Sequence, residues 1–217
     1  MADYALMNQL LYEGRAPKVK EMTDAALAEG LPVEEVLQEG LIAGMAVVGE
    51  DFKHNRLYVP QVLVAARAMK AGMAILKPLL IDLGGGEASA AKTIVMGTVK
   101  GDLHDIGKNL VGMMAEGAGY TVVDIGVDVK VETYIEAVKE HKAGVLGMSA
   151  LLTTTMPYMK KVIDAFDEEG LDDVKICVGG APVSEMFADE IGADGYAADA
   201  ASAIDLFKKL YPVKASA

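Results

Sequence analysis

The chain has no tryptophan, one cysteine, and few aromatic residues of any kind, 6% of 217. A single cysteine allows no intramolecular disulfide, which fits a reducing cytoplasm. Cys177 sits inside the apolar run Val174–Val178, where it packs as a small hydrophobe. The scarcity of rings removes the aromatic neighbours that a flavin site needs. Basic residues are also short: 20 Lys and Arg stand against 32 Asp and Glu, for a net charge of −12. That balance excludes the basic face required for nucleic-acid binding and leaves an acidic surface suited to protein partners. No apolar run reaches the length of a membrane span, and Met-Ala-Asp-Tyr at the start lacks the basic and apolar regions of a signal peptide, so no membrane partner is expected.

What is abundant is apolar surface, 52% of residues, including 13 methionines that serve as core filling in helices. The first 82 residues read as helix. Tyr4–Tyr12 is amphipathic. Pro17 suits the first turn of a second helix that Gly30 ends, and Pro32 opens a third through about Phe52. Pro60 opens a fourth through about Ile81, with Val62, Ala65, Ala66, Met69, Met73 and Leu76 at helical spacing. Four helices with short connections predict an up-and-down bundle over residues 1–82. Residues 83–92, Leu-Gly-Gly-Gly-Glu-Ala-Ser-Ala-Ala-Lys, have linker composition and are expected to act as a hinge.

Residues 93–217 alternate strand and helix. Strands are predicted near 93–99, 121–124, 144–149, 174–178 and 194–197, with helices near 107–118, 131–142, 155–169, 184–191 and 200–210. Five βα units make a Rossmann-like parallel sheet in the flavodoxin order 2-1-3-4-5. Right-handed crossovers then bring every strand's C-terminal end to one edge, where such folds bind ligands. To that edge the first strand delivers Asp102 and His104, and the third delivers Ser149 to Thr154. The fourth delivers Gly179 and Gly180, and the fifth Tyr196 to Asp199. Small residues there admit a bulky ligand close to the backbone, so the pattern suggests a deep slot.

Asp102-x-His104-x-x-Gly107 is the densest chemistry in the chain. A neutral imidazole is a good metal ligand, and a carboxylate on its other nitrogen fixes the tautomer and raises its basicity. Other polar residues have simpler explanations. His54 lies in the solvated turn Lys53–Arg56, and His141 and Asp105 suit a helix C-terminus and N-terminus. Thr153, Thr154 and Thr155 cap the next helix.

Asp102-x-His104-x-x-Gly107, Ser149-x-Leu151 and Gly179-Gly180, in that order behind a helical bundle, closely resemble the cobalamin-binding fold. The whole chain resembles corrinoid proteins of methyltransferase systems and the cobalamin-binding region of methionine synthase. The resemblance implies that His104 is the lower axial ligand of cobalt, displacing the cofactor's own base (base-off, His-on). It implies that Asp102 is bonded to that histidine and that the Ser149 hydroxyl completes the relay. Gly107, Leu151, Gly179 and Gly180 would line the slot for the displaced nucleotide tail. Asp105, Ile106, Thr153 and Tyr196 are further cofactor-binding candidates. In the bundle, Gly49–Phe52 and Leu57–Gln61 resemble the segment shielding the upper cobalt face, with Phe52 and Val59 as its contacts, although relatives often carry Leu where this chain has Val59.

The function so implied is a methyl carrier rather than a complete enzyme. One substrate-specific methyltransferase would load a methyl group onto cobalt. A second would pass it to tetrahydrofolate or coenzyme M, and a reductive activase would restore the nucleophilic Co(I) state. Methylamines or quaternary amines are the favoured donors on overall resemblance. The alternative is a cobalamin-dependent sensor or regulator without turnover. A mutase subunit is disfavoured by residues 1–82, and a zinc hydrolase by the lack of a second His or Cys on the same edge.

Overall fold

The computed structural model describes residues 2–82 and 93–212; the segment 83–92, read as a linker, lies outside the described residues. These residues divide into two compact units, 2–82 with Gly117–Gly119, and 93–116 with 120–212.

The first unit is helical. Helix α1 (Tyr4–Tyr12) begins where the Asp3 carboxylate accepts from the Leu6 amide, and α2 (Ala16–Ala28) carries Pro17 in its first turn. Helix α3 starts at Val33–Glu35, widens to a π-helix over Val36–Ile42 and continues as Ala43–Lys53. The predicted third helix is therefore present, with a wide turn that its periodicity did not announce. Gly40 lies in that turn against the Met7 sulfur of α1, at a spot where a Cβ would meet the sulfur at 2.8 Å. Helix α4 (Val59–Asp82) packs on α2.

One expectation needs correction here. Val59–Leu80 is long and apolar enough, by length and composition alone, to cross a membrane, with a mean hydropathy of 1.3. Its Val62, Ala65, Ala66, Met69 and Leu76 are nevertheless buried while Leu63, Val64 and Leu79 are exposed, the one-sided burial of an amphipathic bundle helix.

The second unit is the expected α/β layer structure. Strands β1 (Thr93–Thr98), β2 (Thr121–Asp124), β3 (Val145–Ser149), β4 (Lys175–Gly179) and β5 (Gly195–Ala197) form one parallel sheet in the order β2-β1-β3-β4-β5. Helices α5 (Ile106–Gly117), α6 (Val131–His141), α7 (Pro157–Glu168), α8 (Glu185–Ile191) and α9 (Ala200–Leu210) make the connections. Strand β1 is buried along its whole length, as a central parallel strand must be. Ser184 caps α8, and Asp199 and Ser202 cap α9 reciprocally.

The two faces of the sheet differ in kind. One presents Val95, Leu146, Met148, Ile176 and Val178 to Tyr134, Met159, Ile163 and Phe166, a continuous large-side-chain core. On the other, the register aligns Met96, Gly147, Cys177 and Gly195 in one row and Thr98, Ser149, Gly179 and Ala197 in the next. The second row, at the C-terminal edge, holds no large side chain. That alternation leaves room on one face only.

Candidate corrin-binding site

The room is a cavity of about 550 Å³ between the small-residue rows, the start of α5 and the α9 residues Ala200, Ala203 and Phe207. His104 stands on its wall in the loop leaving β1. Three bonds hold this residue. Its backbone amide donates to Asp102 Oδ1 at 3.1 Å, its ring Nδ1 donates to the same oxygen at 2.7 Å, and its carbonyl accepts from the buried Thr98 Oγ1 at 2.9 Å.

Asp102 is wholly buried. Its second oxygen, Oδ2, accepts from the Leu151 amide at 2.7 Å, the Leu152 amide at 3.1 Å and Thr155 Oγ1 at 2.9 Å. Burial opposes its charge, but the bonds from the His104 ring, the Leu151 and His104 amides and Thr155 outweigh it and hold the carboxyl well below the usual carboxylate range. An ionised carboxylate only accepts, so Nδ1 carries the proton, and in the neutral ring the lone pair is then on Nε2. Nε2 has no hydrogen-bond partner among the described residues, and the side chain is half exposed. The arrangement is a directed, tautomer-fixed imidazole donor.

Its surroundings are apolar. Leu103 is 71% and Ile106 80% exposed, and Leu151 and Leu152 are each about two-fifths exposed. Leu103, Ile106 and Leu151 line the cavity together with His104, an apolar setting suited to a large apolar ligand. Among the described residues no group of three or more His, Cys, Asp and Glu is placed to hold an ion. A lone imidazole beside exposed apolar side chains therefore fits a metal that arrives with its remaining donors attached, as a corrin cobalt does. A Cβ on Gly107 would meet nothing within 4 Å, while one on Gly180, at φ +124°, would lie 1.9 Å from the Ala150 carbonyl oxygen.

Of the residues read from sequence, His104, Asp105, Ile106, Gly107, Ser149, Leu151, Gly179 and Gly180 line the cavity, and Asp102 stands behind the imidazole. Tyr196 and Thr153, from the same unit, do not. Tyr196 packs against the large-side-chain core on the opposite face, and its neighbour Ala197 takes the place at the cavity. Thr153 is exposed on the turn after β3, outside the lining. The Ser149 hydroxyl makes no bond to Asp102; Thr155 supplies that hydroxyl instead. Asp105 accepts from Asn109 Nδ2 at 3.0 Å, a local tie at the start of α5. Phe52 lies half-buried in the last turn of α3, and Val59 opens α4 with its side chain 37% exposed.

Sequence reasoning missed Thr98, the role of Thr155, and Lys108. The Lys108 ammonium is buried at the cavity wall, bonded to the Asp124 carboxylate and at 2.9 Å to Asn109 Oδ1. Only the position of Thr98 at the end of β1 could have flagged one of them.

Two family models, each described as a B12 binding domain, match the chain, one over residues 92–205 and the other over residues 6–77. The chain is 48% identical over 181 residues to the dimethylamine corrinoid protein of Methanosarcina barkeri, covering 83% of this chain and 84% of that one. It is 42% identical over 205 residues to a corrinoid protein of Desulfitobacterium hafniense (strain Y51), covering 94% and 95%. Among solved structures it resembles the methanol:cobalamin methyltransferase complex MtaBC from Methanosarcina barkeri, with a TM-score of 0.83, 31% identity, and coverage of 94% of this chain and 78% of that one.

Proposed function

The chain belongs to the B12-binding corrinoid proteins of methyltransferase systems, and from that membership we propose that it takes a methyl group from a substrate-specific methyltransferase and delivers it to a second one. The second enzyme's acceptor is tetrahydrofolate or coenzyme M. Methylamines are the donor class, supported by the 48% identity to a relative named for dimethylamine. When bound, the corrin supplies a cobalt that carries the methyl group.

The observation that carries the reading is the His104 imidazole, its Nδ1 held at 2.7 Å by a buried carboxylate and its Nε2 free beside the cavity. His104 serves as the lower ligand in the base-off, His-on mode, and Asp102 keeps its donor nitrogen aimed. Gly107 leaves space for the displaced nucleotide tail, and Gly179, Gly180, Ser149 and Leu151 line the cavity that takes it. The apolar Leu103, Ile106 and Leu151 at the cavity keep water from the bound group.

The helical unit, residues 1–82, is assigned the role of a cap, with Phe52 and Val59 as shielding residues and 83–92 as the linker. The exposed Tyr58 and Val59 at the start of α4 support a covering role. A reductive activase is the third partner. A single free, buried cysteine accords with work in the cytoplasm.

The test is the visible spectrum of protein reconstituted with hydroxocobalamin, for wild type and His104→Ala. Wild type is expected to bind stoichiometrically with a histidine-ligated, base-off spectrum that the variant loses. Absence of binding by wild type overturns the cofactor reading, and an unchanged variant spectrum overturns the axial assignment. Methyl transfer from dimethylamine with a partner methyltransferase then tests the donor class.

A further inference from the structure

We infer that the inner end of the cavity selects the corrinoid by its terminal base, taking a benzimidazole, whose far ring is all carbon, in preference to a purine. The inference rests on the corrinoid reading and names the class of cofactor that this chain accepts.

The cavity changes character with depth. Its outer part is lined by His104, Asp105, Ser149 and Asp199, which are exposed or half-buried. Two residues inward along the strands, about 7 Å deeper, lies the buried row Met96, Gly147 and Cys177. Ala203, Leu206 and Phe207 of α9 complete this floor. Met96 fills the corner between β1, β3 and α5: a Cβ on Gly147 would lie 3.4 Å from Met96 Cγ, and one on Gly112 3.8 Å from its Sδ. Leu206 closes the β5 side, where a Cβ on Gly195 would lie 2.7 Å from Leu206 Cδ1.

The side chains of the floor therefore offer carbon and two sulfurs. A thioether and a thiol are weak hydrogen-bond partners. Lys108 also lines the cavity, but its ammonium is bonded to Asp124 and Asn109. A group that reaches the floor leaves water without gaining strong partners. The far ring of dimethylbenzimidazole carries only carbon and loses nothing there. Adenine is a bicycle of similar size, but its far ring carries ring nitrogens and an amino group, which the floor would bury unpaired. Size is common to the two bases, so the polarity of the floor decides between them.

The test titrates apoprotein spectrophotometrically with hydroxocobalamin, with its analogue carrying adenine as base, and with cobinamide, which has no base. In each free corrinoid the equilibrium between base and cobalt is independent of the protein. It cancels when the ratio of the first two Kd values is compared between variants. Met96→Gln and Cys177→Ser nearly preserve volume and add a hydrogen-bonding group to the floor. Each is expected to shift the ratio toward the adenine form by about 2- to 12-fold, the worth of one hydrogen bond. Met96→Leu keeps the floor apolar and is expected to hold the wild-type ratio. Cobinamide affinity is expected to be the same in all four proteins. A second readout uses wild type: the 13C-labelled Met96 methyl resonance, identified by its loss in Met96→Leu, is expected to shift with cobalamin and not with cobinamide.

A ratio unchanged, or moved toward cobalamin, in both polar variants overturns the proposal. So does a Met96 methyl that ignores cobalamin or responds equally to cobinamide. If one polar variant does not fold, the other and the wild-type resonance decide between the same outcomes. Failure of wild type to bind any of the three corrinoids overturns the functional reading, and this inference with it; binding with an unchanged ratio overturns base selection alone.

Discussion

Gly107→Ala is expected to move stability and binding in opposite directions. Gly107 is the second residue of α5, has ordinary helical backbone geometry and lines the cavity, and a Cβ placed on it meets no atom within 4 Å. In the apoprotein the added methyl therefore meets no clash, and the unfolded chain loses freedom. A Gly-to-Ala change at a compatible site stabilises by about 0.4–1 kcal/mol, and this close to a helix end the lower figure applies. For a protein of this size that raises Tm by about 1–2 °C. Loaded protein meets a different outcome, because the same methyl occupies space assigned to the cofactor. Overfilling a close-packed site costs about 1–3 kcal/mol, equivalent to about 5- to 150-fold in Kd. Calorimetry of the apoprotein and spectrophotometric titration with hydroxocobalamin measure the two effects separately. A Tm lowered by several degrees would show that the space beside Gly107 is not open. Unchanged affinity would show that the cofactor does not pass this wall.

Gly180→Ala should fail without any ligand, since its Cβ would lie 1.9 Å from the Ala150 oxygen on a backbone at φ +124°; a loss of about 3 kcal/mol or more in urea unfolding is expected, and a wild-type midpoint would contradict it. Asp102→Asn turns one of its acceptor oxygens into a donor facing donors, and should cost about 1–3 kcal/mol in the apoprotein at neutral pH. Because the folded carboxyl lies below its unfolded value, the wild-type contribution is complete above about pH 4 and is lost only as pH falls through the depressed value, so the gap between the two proteins should close only in strong acid. An acid-unfolding series in which the gap closes near neutral pH would refute this. Burial pushes the Cys177 thiol up to about 12, so at pH 8 a thiol reagent should label native apoprotein at least about 1,000-fold more slowly than unfolded chain. Comparable rates would place the thiol at the surface.

The parts of the fold set by local pattern were readable from sequence. The five strands, the order 2-1-3-4-5 and the delivery of Asp102 and His104 to one edge follow from alternation of strand and helix and from crossover handedness. The Asp102–His104 pair was legible because it is local, two residues apart. Thr155 was not, because its partner is 53 positions earlier and nothing near it in sequence distinguishes that hydroxyl from a helix cap. Tyr196 reads as a cavity residue because it lies near the C-terminal end of a short strand. In a three-residue strand, the side-chain alternation that turns it away depends on register with Val178, which pairing across the sheet decides. The π-helical turn at Val36–Ile42 follows from how α1 meets α3 at Gly40, a tertiary contact with no periodic signature.

The unequal faces of the sheet have a consequence for the protein's lifetime in a cell. One face is a finished core; the other meets its helices with Gly147, Ser149, Gly179 and Ala197, too little bulk to close the layer. A ligand that fills that layer binds the folded state alone, so its concentration adds directly to the free energy of unfolding. Newly made chains would then open often and be degraded while corrin is scarce, and would persist once it is supplied. The abundance of the carrier would follow the supply of its cargo-bearing group by turnover of the empty form, without any change in synthesis.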